Sequence, residues 1–446
     1  MIVLAVLAWA LFMIATPPFQ SPDEPGHFAY VQSLAGGHYP VMPNGRLTSY
    51  DSDLSAALQR SFFWPAIIFR QDKVINSRPR PVDESKSDQV EKSVQAYQPP
   101  LYYLAASVPY RIATFLGLPA ETVFYAVRLI NLLFYLAFLA AFRLTARRVF
   151  KGRAADYLTL AVALQPTLLG ISSGINPEIG VITLFTVTFA VLASGLGGRA
   201  GRFWFVILLG VLSAATILTK FTGIIIYPVA LLALAIAVDG GLWKKLSRLA
   251  AYTATTFLPL APWLLFNLRQ YGQLLPDNAG ISRHPAVTDM ARLFFMTVDD
   301  VRQSLFGFAG IFGWMDAPVF DVLQNIYTFV CLGFIAAGVW IIMRRRGWRA
   351  GGTPLIALIS VAALALLSVF LIVYSWDLKA VDGWILALQP RYFMIGTLPA
   401  ALVFFMGMKG ALRGVSREGL ARALFFFSLA YFLVALLFTL IPRYYV

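Results

Sequence analysis

The chain has 446 residues, of which 59% are hydrophobic and only 13% charged. Apolar stretches near the ~20 residues that cross a bilayer recur from one end to the other with short polar joints, which excludes a soluble fold and leaves no room for a separate soluble catalytic domain. The 36 Lys+Arg against 22 Asp+Glu would suit nucleic acid in a soluble protein, but in a membrane chain they are first a topology signal.

The first apolar segment, about Ile2 to Thr16, stops at Pro17-Pro18; it is short for a span and lacks the positive flank of a signal peptide. Phe19 to Pro99 then carries eight Lys/Arg, nine Asp/Glu and many prolines, too polar for lipid. From Pro100 to Gly117, Leu101, Leu104, Val108, Ile112 and Phe115 form one helical stripe, and Tyr103, Ser107, Arg111 and Thr114 another. The spacing predicts an interfacial helix, 100–117, within a first outer loop, 17–121. The next span, Thr122 to Leu144, ends in Arg143, Arg147, Arg148, Lys151 and Arg153. Further spans are expected near Tyr157–Ile175, Ile179–Leu196, Phe203–Leu218, Gly223–Val238, Ala250–Leu268, Val322–Met343, Pro354–Tyr374, Tyr392–Met408 and Ala423–Ile441. A second outer loop covers 269–321, where a stripe of Val298, Val301, Leu305, Phe308 and Phe312 is expected to form a second surface helix or a lid.

The expected architecture is therefore all-α: a single polytopic domain, 1–446, of about eleven transmembrane helices plus interfacial helices. With that parity the cytoplasmic joints hold half of the chain's cations, including Arg199, Arg202, Lys244, Lys245, Arg248, Arg344, Arg345, Arg346, Arg349, Lys409, Arg413, Arg417 and Arg422. Nearly every carboxylate falls on the opposite face. The basic balance is topology, and no nucleic-acid partner is expected.

The strongest local feature is Pro22-Asp23-Glu24-Pro25-Gly26-His27-Phe28, directly after the first span. A partly desolvated carboxylate there could accept a proton from a hydroxyl nucleophile; the plain alternative is a solvated loop with Asp23 capping a helix. Arg128, Lys220 and Arg391 lie at one leaflet level, where charge demands a partner, and would suit a phosphate whose lipid tail stays in the bilayer; for Arg128, two turns into its span, the alternative is snorkelling. Gly174-Ile-Asn176-Pro177-Glu178 offers a second carboxylate and an amide, or simply a tight turn. Gln98-Pro99-Pro100-Leu101-Tyr102-Tyr103 starts the interfacial helix, and its tyrosines could touch sugar or lipid. No Walker motif, zinc-protease motif or nucleophile elbow is present. A divalent metal could at most use Asp23, Glu24 or Glu178 with His27; no metal site or cofactor is specified. The lone Cys331 excludes disulfides.

Four of these signatures together resemble the GT-C superfamily of membrane glycosyltransferases, closest to its uncharacterised bacterial branch of predicted polysaccharide-associated membrane proteins. They are Pro-Asp23-Glu24-x-x-His27-Phe, Tyr97-Gln-Pro-Pro-Leu-Tyr-Tyr103, Arg128-x-x-Asn131 and Gln389-x-Arg391-Tyr. Asn176-Pro-Glu178 and Lys220 fall at matching places. The resemblance implies a multi-pass protein of the bacterial cytoplasmic (inner) membrane serving cell-envelope polysaccharide biosynthesis. It would transfer sugar, with inversion, from a polyprenyl-phosphate donor to a glycan, lipid or protein acceptor at its extracytoplasmic face. By that resemblance Asp23 is the general base, Glu24 or Glu178 orients substrate or stabilises charge, and Arg128, Lys220 and Arg391 hold the donor phosphate. His27, Tyr102, Tyr103, Asn131 and Asn176 then contact substrate. Two other readings remain: a transporter or flippase for lipid-linked saccharides, and a non-catalytic assembly protein.

Overall fold

The computed structural model describes residues 1–39, 95–276, 289–313, 317–344, 352–382 and 388–445, with Ala57. Most of the expected first outer loop, part of the second, His284 and the cations Arg345, Arg346 and Arg349 lie outside them.

In chain order the helices are α1 (Ile2–Ala15), α2 (Glu24–Ala35), α3 (Leu101–Phe115), α4 (Ala120–Val149), α5 (Ala154–Ala163), α6 (Pro166–Ser173), α7 (Glu178–Gly195), α8 (Phe203–Thr219), α9 (Ile226–Ala237), α10 (Leu242–Phe257) and α11 (Ala261–Tyr271). They continue with α12 (Met290–Gly307), α13 (Asp321–Met343), α14 (Thr353–Asp382), α15 (Thr397–Ala411), α16 (Arg417–Ala435) and α17 (Ile441–Tyr444). Among the described residues the only sheet is a two-stranded antiparallel pairing of Ile311–Phe312 with Ala317–Pro318.

The all-α membrane architecture stands, and the chain is a multi-pass membrane protein. Seven helices are long and apolar enough to cross a bilayer, eight when the bent pair α5–α6 counts as one span. The expected spans at Ile2–Thr16, Phe203–Leu218 and Gly223–Val238 coincide with apolar helices too short for that measure, so the count of eleven is not reached by length and composition.

Local sequence explains the break between α5 and α6, which differ in direction by 58°. Pro166 has no N–H to continue the helical ladder and sits at the first position of α6, where none is needed. Gln165 caps that helix by accepting from the Leu168 N–H at 2.6 Å. Trp9 Nε1–H donates to the Ser172 carbonyl at 2.8 Å, fastening α1 to α6.

In α3 the apolar stripe points away from the protein: Leu104, Val108, Ile112 and Phe115 are exposed, while Tyr102, Tyr103, Ala106 and Ser107 are buried against α2 and α4. Such inversion suits a lipid environment. The core runs between α1, α4, α6, α7, α15 and α16, and a smaller cluster of Phe19, Phe28, Tyr30, Tyr102, Tyr103 and Phe124 lies above it.

Candidate functional site

The site forms where the α1–α2 connection, the α6–α7 turn, the end of α8 and the 3-10 segment Pro390–Gly396 meet. Asp23 adopts a left-handed backbone (φ 61°), shared among the described non-glycine residues only with Phe19. That conformation disfavours L residues. Asp23 makes no side-chain cap on α2; its carboxylate pairs with the Arg391 guanidinium. The capping alternative therefore does not describe it.

Arg391 also donates to the Pro22 carbonyl at 3.3 Å, and its Nε lies 3.5 Å from Glu178 Oε1. Glu178 in turn pairs with Lys220. The four side chains thus alternate in charge: Asp23, Arg391, Glu178, Lys220. The Tyr392 ring lies 4.8 Å from Lys220 Nζ and 5.6 Å from the Arg391 guanidinium carbon, measured to its centroid, a cation–π support for both cations. The Asp23 side chain keeps 30% of its surface exposed, against 4% for Glu178 and none for Glu24. Burial pushes the Asp23 carboxyl up, but the surrounding positive groups together, Arg391 foremost and Lys220 with it, outweigh this and hold it below its ordinary 3.8.

The other expected site residues lie behind this array. Arg128 has no exposed surface. Its Nε and Nη2 donate to the two Glu24 oxygens at 2.8 Å each, Nη1 to the Met13 (3.3 Å) and Thr16 (2.7 Å) carbonyls, and Nη2 also to the Pro17 carbonyl at 3.0 Å. All five guanidinium N–H groups are thereby committed. Arg128 neither snorkels nor offers a donor to phosphate, and Glu24, which also accepts from the Ile175 N–H at 2.8 Å, faces no open space. Both expectations are corrected: this buried pair ties the end of α1, the start of α2 and the α6–α7 turn to α4.

Tyr102 and Tyr103 are fully buried. Tyr102 donates to Asn131 Oδ1 at 3.0 Å, and Asn131 donates to the Gly174 carbonyl. Tyr103 hydroxyl lies 2.8 Å from His27 Nδ1 and its ring stacks on Tyr30. Tyr102, Tyr103, Asn131 and His27 spend their polar groups on one another and on the α6–α7 turn, so in this arrangement their expected substrate contact is replaced by a supporting role. Burial pushes His27 down to about 3, against the opposing pull of Asp23, leaving it neutral at pH 7. Asn176 accepts from the Glu178 N–H at 3.0 Å and donates to the Ile171 carbonyl at 2.8 Å. This is the tight turn allowed by its sequence, yet Asn176 also lines a cleft beside Arg391.

That cleft, partly open, is bordered by Gln20, Ser21, Thr167, Phe312, Gln389 and Arg391 among others. Gln20 carries no sequence signal, and Gln389 showed only as part of its motif. The reading from sequence also missed Asp300 and Lys379. Lys379 Nζ, the Ser375 hydroxyl and the Leu388 N–H all donate to Asp300 Oδ2, at 2.7, 2.6 and 3.0 Å. This buried cluster anchors the segment leading into Arg391 from α12 and α14. Among the described residues no three His, Cys, Asp or Glu side chains converge for a metal ion. The candidate ligands Asp23, Glu24 and Glu178 each face a cation, and His27 Nδ1 meets Tyr103, so the set as arranged does not fit a metal.

A family model described as predicted membrane protein (DUF2142) matches residues 6–403. A search of curated proteins finds no match. Among solved structures, ArnT from Cupriavidus metallidurans bound to undecaprenyl phosphate is similar at 15% identity and a TM-score of 0.50, over 94% of this chain and 61% of ArnT. The Archaeoglobus fulgidus oligosaccharyltransferase, in a complex with Zn and sulfate, is similar at 13% identity and a TM-score of 0.52, over 100% of this chain and 53% of its own. The chain therefore spans about three fifths and about half of these two proteins. At such identities the likeness is one of fold.

Proposed function

The chain belongs to the DUF2142 family of predicted membrane proteins and has the GT-C fold, and from that premise we propose that it transfers a sugar from a polyprenyl-phosphate donor to an acceptor hydroxyl, with inversion. The observation that carries this reading is the Asp23–Arg391–Glu178–Lys220 array: one carboxylate with an open face beside two cations held by a second, buried carboxylate.

As the acceptor oxygen bonds to the anomeric carbon, Asp23 takes its proton. The bond from that carbon to the phosphate oxygen breaks, and the phosphate leaves with the electron pair. Charge grows on the phosphate in the transition state, where preplaced Arg391 and Lys220 lower the barrier. Glu178 keeps both cations in position. A phosphate beside Arg391 competes with Asp23 for the guanidinium, so donor binding returns the Asp23 carboxylate toward its ordinary basicity. Binding and activation of the base are then coupled.

By the positive-inside rule the site, remote from the cationic joints, faces the extracytoplasmic side of a bacterial cytoplasmic membrane; the acceptor is a glycan, lipid or protein. Against transport, the buried pairs Glu24–Arg128, Glu178–Lys220 and Asp300–Lys379 gather around this one end, whereas transporters hold substrate near the midplane.

The test is release of polyprenyl phosphate from a panel of polyprenyl-phosphate sugars by folded wild type, Asp23→Asn and Arg391→Ala. Turnover by wild type should fall by about 10²-fold or more in each variant. Undiminished transfer by Asp23→Asn would remove it as the base. Donor binding by wild type without turnover would favour the transporter.

A further inference from the structure

Gln20 is 1% exposed, and neither its amide nitrogen nor its amide oxygen has a hydrogen-bond partner in the protein. Gln389 Oε1 is likewise buried without one. Both residues line the cleft beside Arg391. A buried polar group left unpaired costs about 1–3 kcal/mol, and folded proteins rarely carry one without a reason. Two glutamines doing so at one cleft implies a ligand that both donates and accepts hydrogen bonds. Hydroxyl groups do this, and a primary amide complements them with two donors and an acceptor.

The rest of the lining agrees. Ser21 adds a hydroxyl, and Thr167 Oγ1, which donates to the Phe308 carbonyl at 2.9 Å, keeps its lone pairs free to accept. Phe312 supplies an apolar wall for the C–H face of a ring. Arg391 is the one ionised side chain among the lining residues, and it stands where the cleft meets the charged array. Among the described lining residues there is no carboxylate for an ammonium group. With Arg391 occupied by phosphate, the described lining residues hold no second cation for a sugar carboxylate.

We infer that this cleft seats the glycosyl group of the donor, that this group is an uncharged sugar, and that Gln20 and Gln389 read its hydroxyls. The inference rests on the glycosyltransferase reading and adds the substrate class to it.

The experiment measures binding of undecaprenyl phosphate and of undecaprenyl-phosphate hexose to the purified full chain in lipid nanodiscs, for wild type, Gln20→Leu and Gln389→Leu. Wild type should prefer the hexose-bearing lipid by about tenfold or more, and each variant should lose that preference while binding the bare lipid phosphate within about twofold of wild type. Gln20→Leu should melt no lower than wild type, because it removes amide atoms that have no partner. A lower melting temperature would show the amide already paired and overturn the inference, as would equal loss of both lipids, or no loss of either. Equal binding of both lipids by wild type would also overturn it while leaving the transferase reading standing. Failure of wild type to bind either lipid would remove that reading and this one with it. Donors carrying an amino sugar or a uronic acid should bind about tenfold more weakly than the hexose; equal binding would overturn the uncharged class.

Discussion

At the scale of single residues, the sequence pointed to partners for Arg128, Lys220 and Arg391, because charge at that depth in a membrane protein calls for one, with snorkelling the alternative for Arg128. It did not show which partners. Arg128 meets a carboxylate 104 positions away, and no local spacing announces that contact. Arg128→Ala should therefore act as a folding variant: it leaves Glu24 charged and buried at about 3–5 kcal/mol, visible as a large drop in melting temperature and in yield of monodisperse protein. Lys220→Ala, at a cation 13% exposed, should keep the fold and lose turnover. If Arg128→Ala melted like wild type, its five donated hydrogen bonds would not be the structural anchor described above. His27 offers a second test at this scale. Its folded pKa, about 3, lies below the ordinary 6.5, so between those values the unfolded chain binds a proton that the native chain does not. Stability is then full above 6.5 and declines as pH falls toward 3, by at most about 1.4 kcal/mol per pH unit. His27→Gln should flatten that slope relative to wild type in a pH series of melting temperatures. Parallel curves would show that His27 is protonated in the native protein as readily as in the unfolded one.

At the scale of elements, apolar length made almost every helix readable, and the stripes of α3 told its two faces apart. Close approach of helices was not readable. α13 and α15 touch backbone to backbone at Gly338 and Gly407: a Cβ on Gly338 would overlap the Val403 carbonyl, and one on Gly407 the Phe334 carbonyl. Small residues let membrane helices pack this tightly, but many glycines in the sequence have no such contact. The Asp300 cluster was equally hidden, since Lys379 lies 79 residues away. It joins α12 to α14 and holds Leu388, three positions before Arg391. Asp300→Ala should strand a buried ammonium at about 3–5 kcal/mol and reduce activity through displacement of Arg391. Pairing Asp300→Leu with Lys379→Met should recover most of the stability, because an apolar replacement for a buried pair is often neutral. Activity would return only to the extent that Leu388 keeps its place. A double variant no more stable than Asp300→Ala would mean the cost comes from packing, not from the stranded charge.

For the whole molecule, the alternation of cationic joints already implied that every second chain reversal lies on one side, and the fold has the same logic in its contacts. Arg248 Nε–H donates to the Gly201 carbonyl at 2.9 Å and the Thr353 hydroxyl to the Arg148 carbonyl at 3.2 Å, so joints distant in sequence meet at that end. α7 runs from Glu178 toward the Arg199 joint and α8 returns to Lys220, which is why two residues 42 apart can share one site at the opposite end. Which end faces the cytoplasm is a statement about charge and the bilayer, and it can be measured. In a Cys331→Ser background expressed in a bacterium, Ala120→Cys sits at the exposed start of α4 on the site's end and Arg199→Cys on an exposed cationic joint. A membrane-impermeant maleimide should label Ala120→Cys in intact cells and Arg199→Cys only after permeabilisation. The reverse pattern would turn Asp23 and Arg391 toward the cytoplasm. An extracytoplasmic acceptor could not then reach the base, and a donor phosphate held at Arg391 would lie in the inner leaflet.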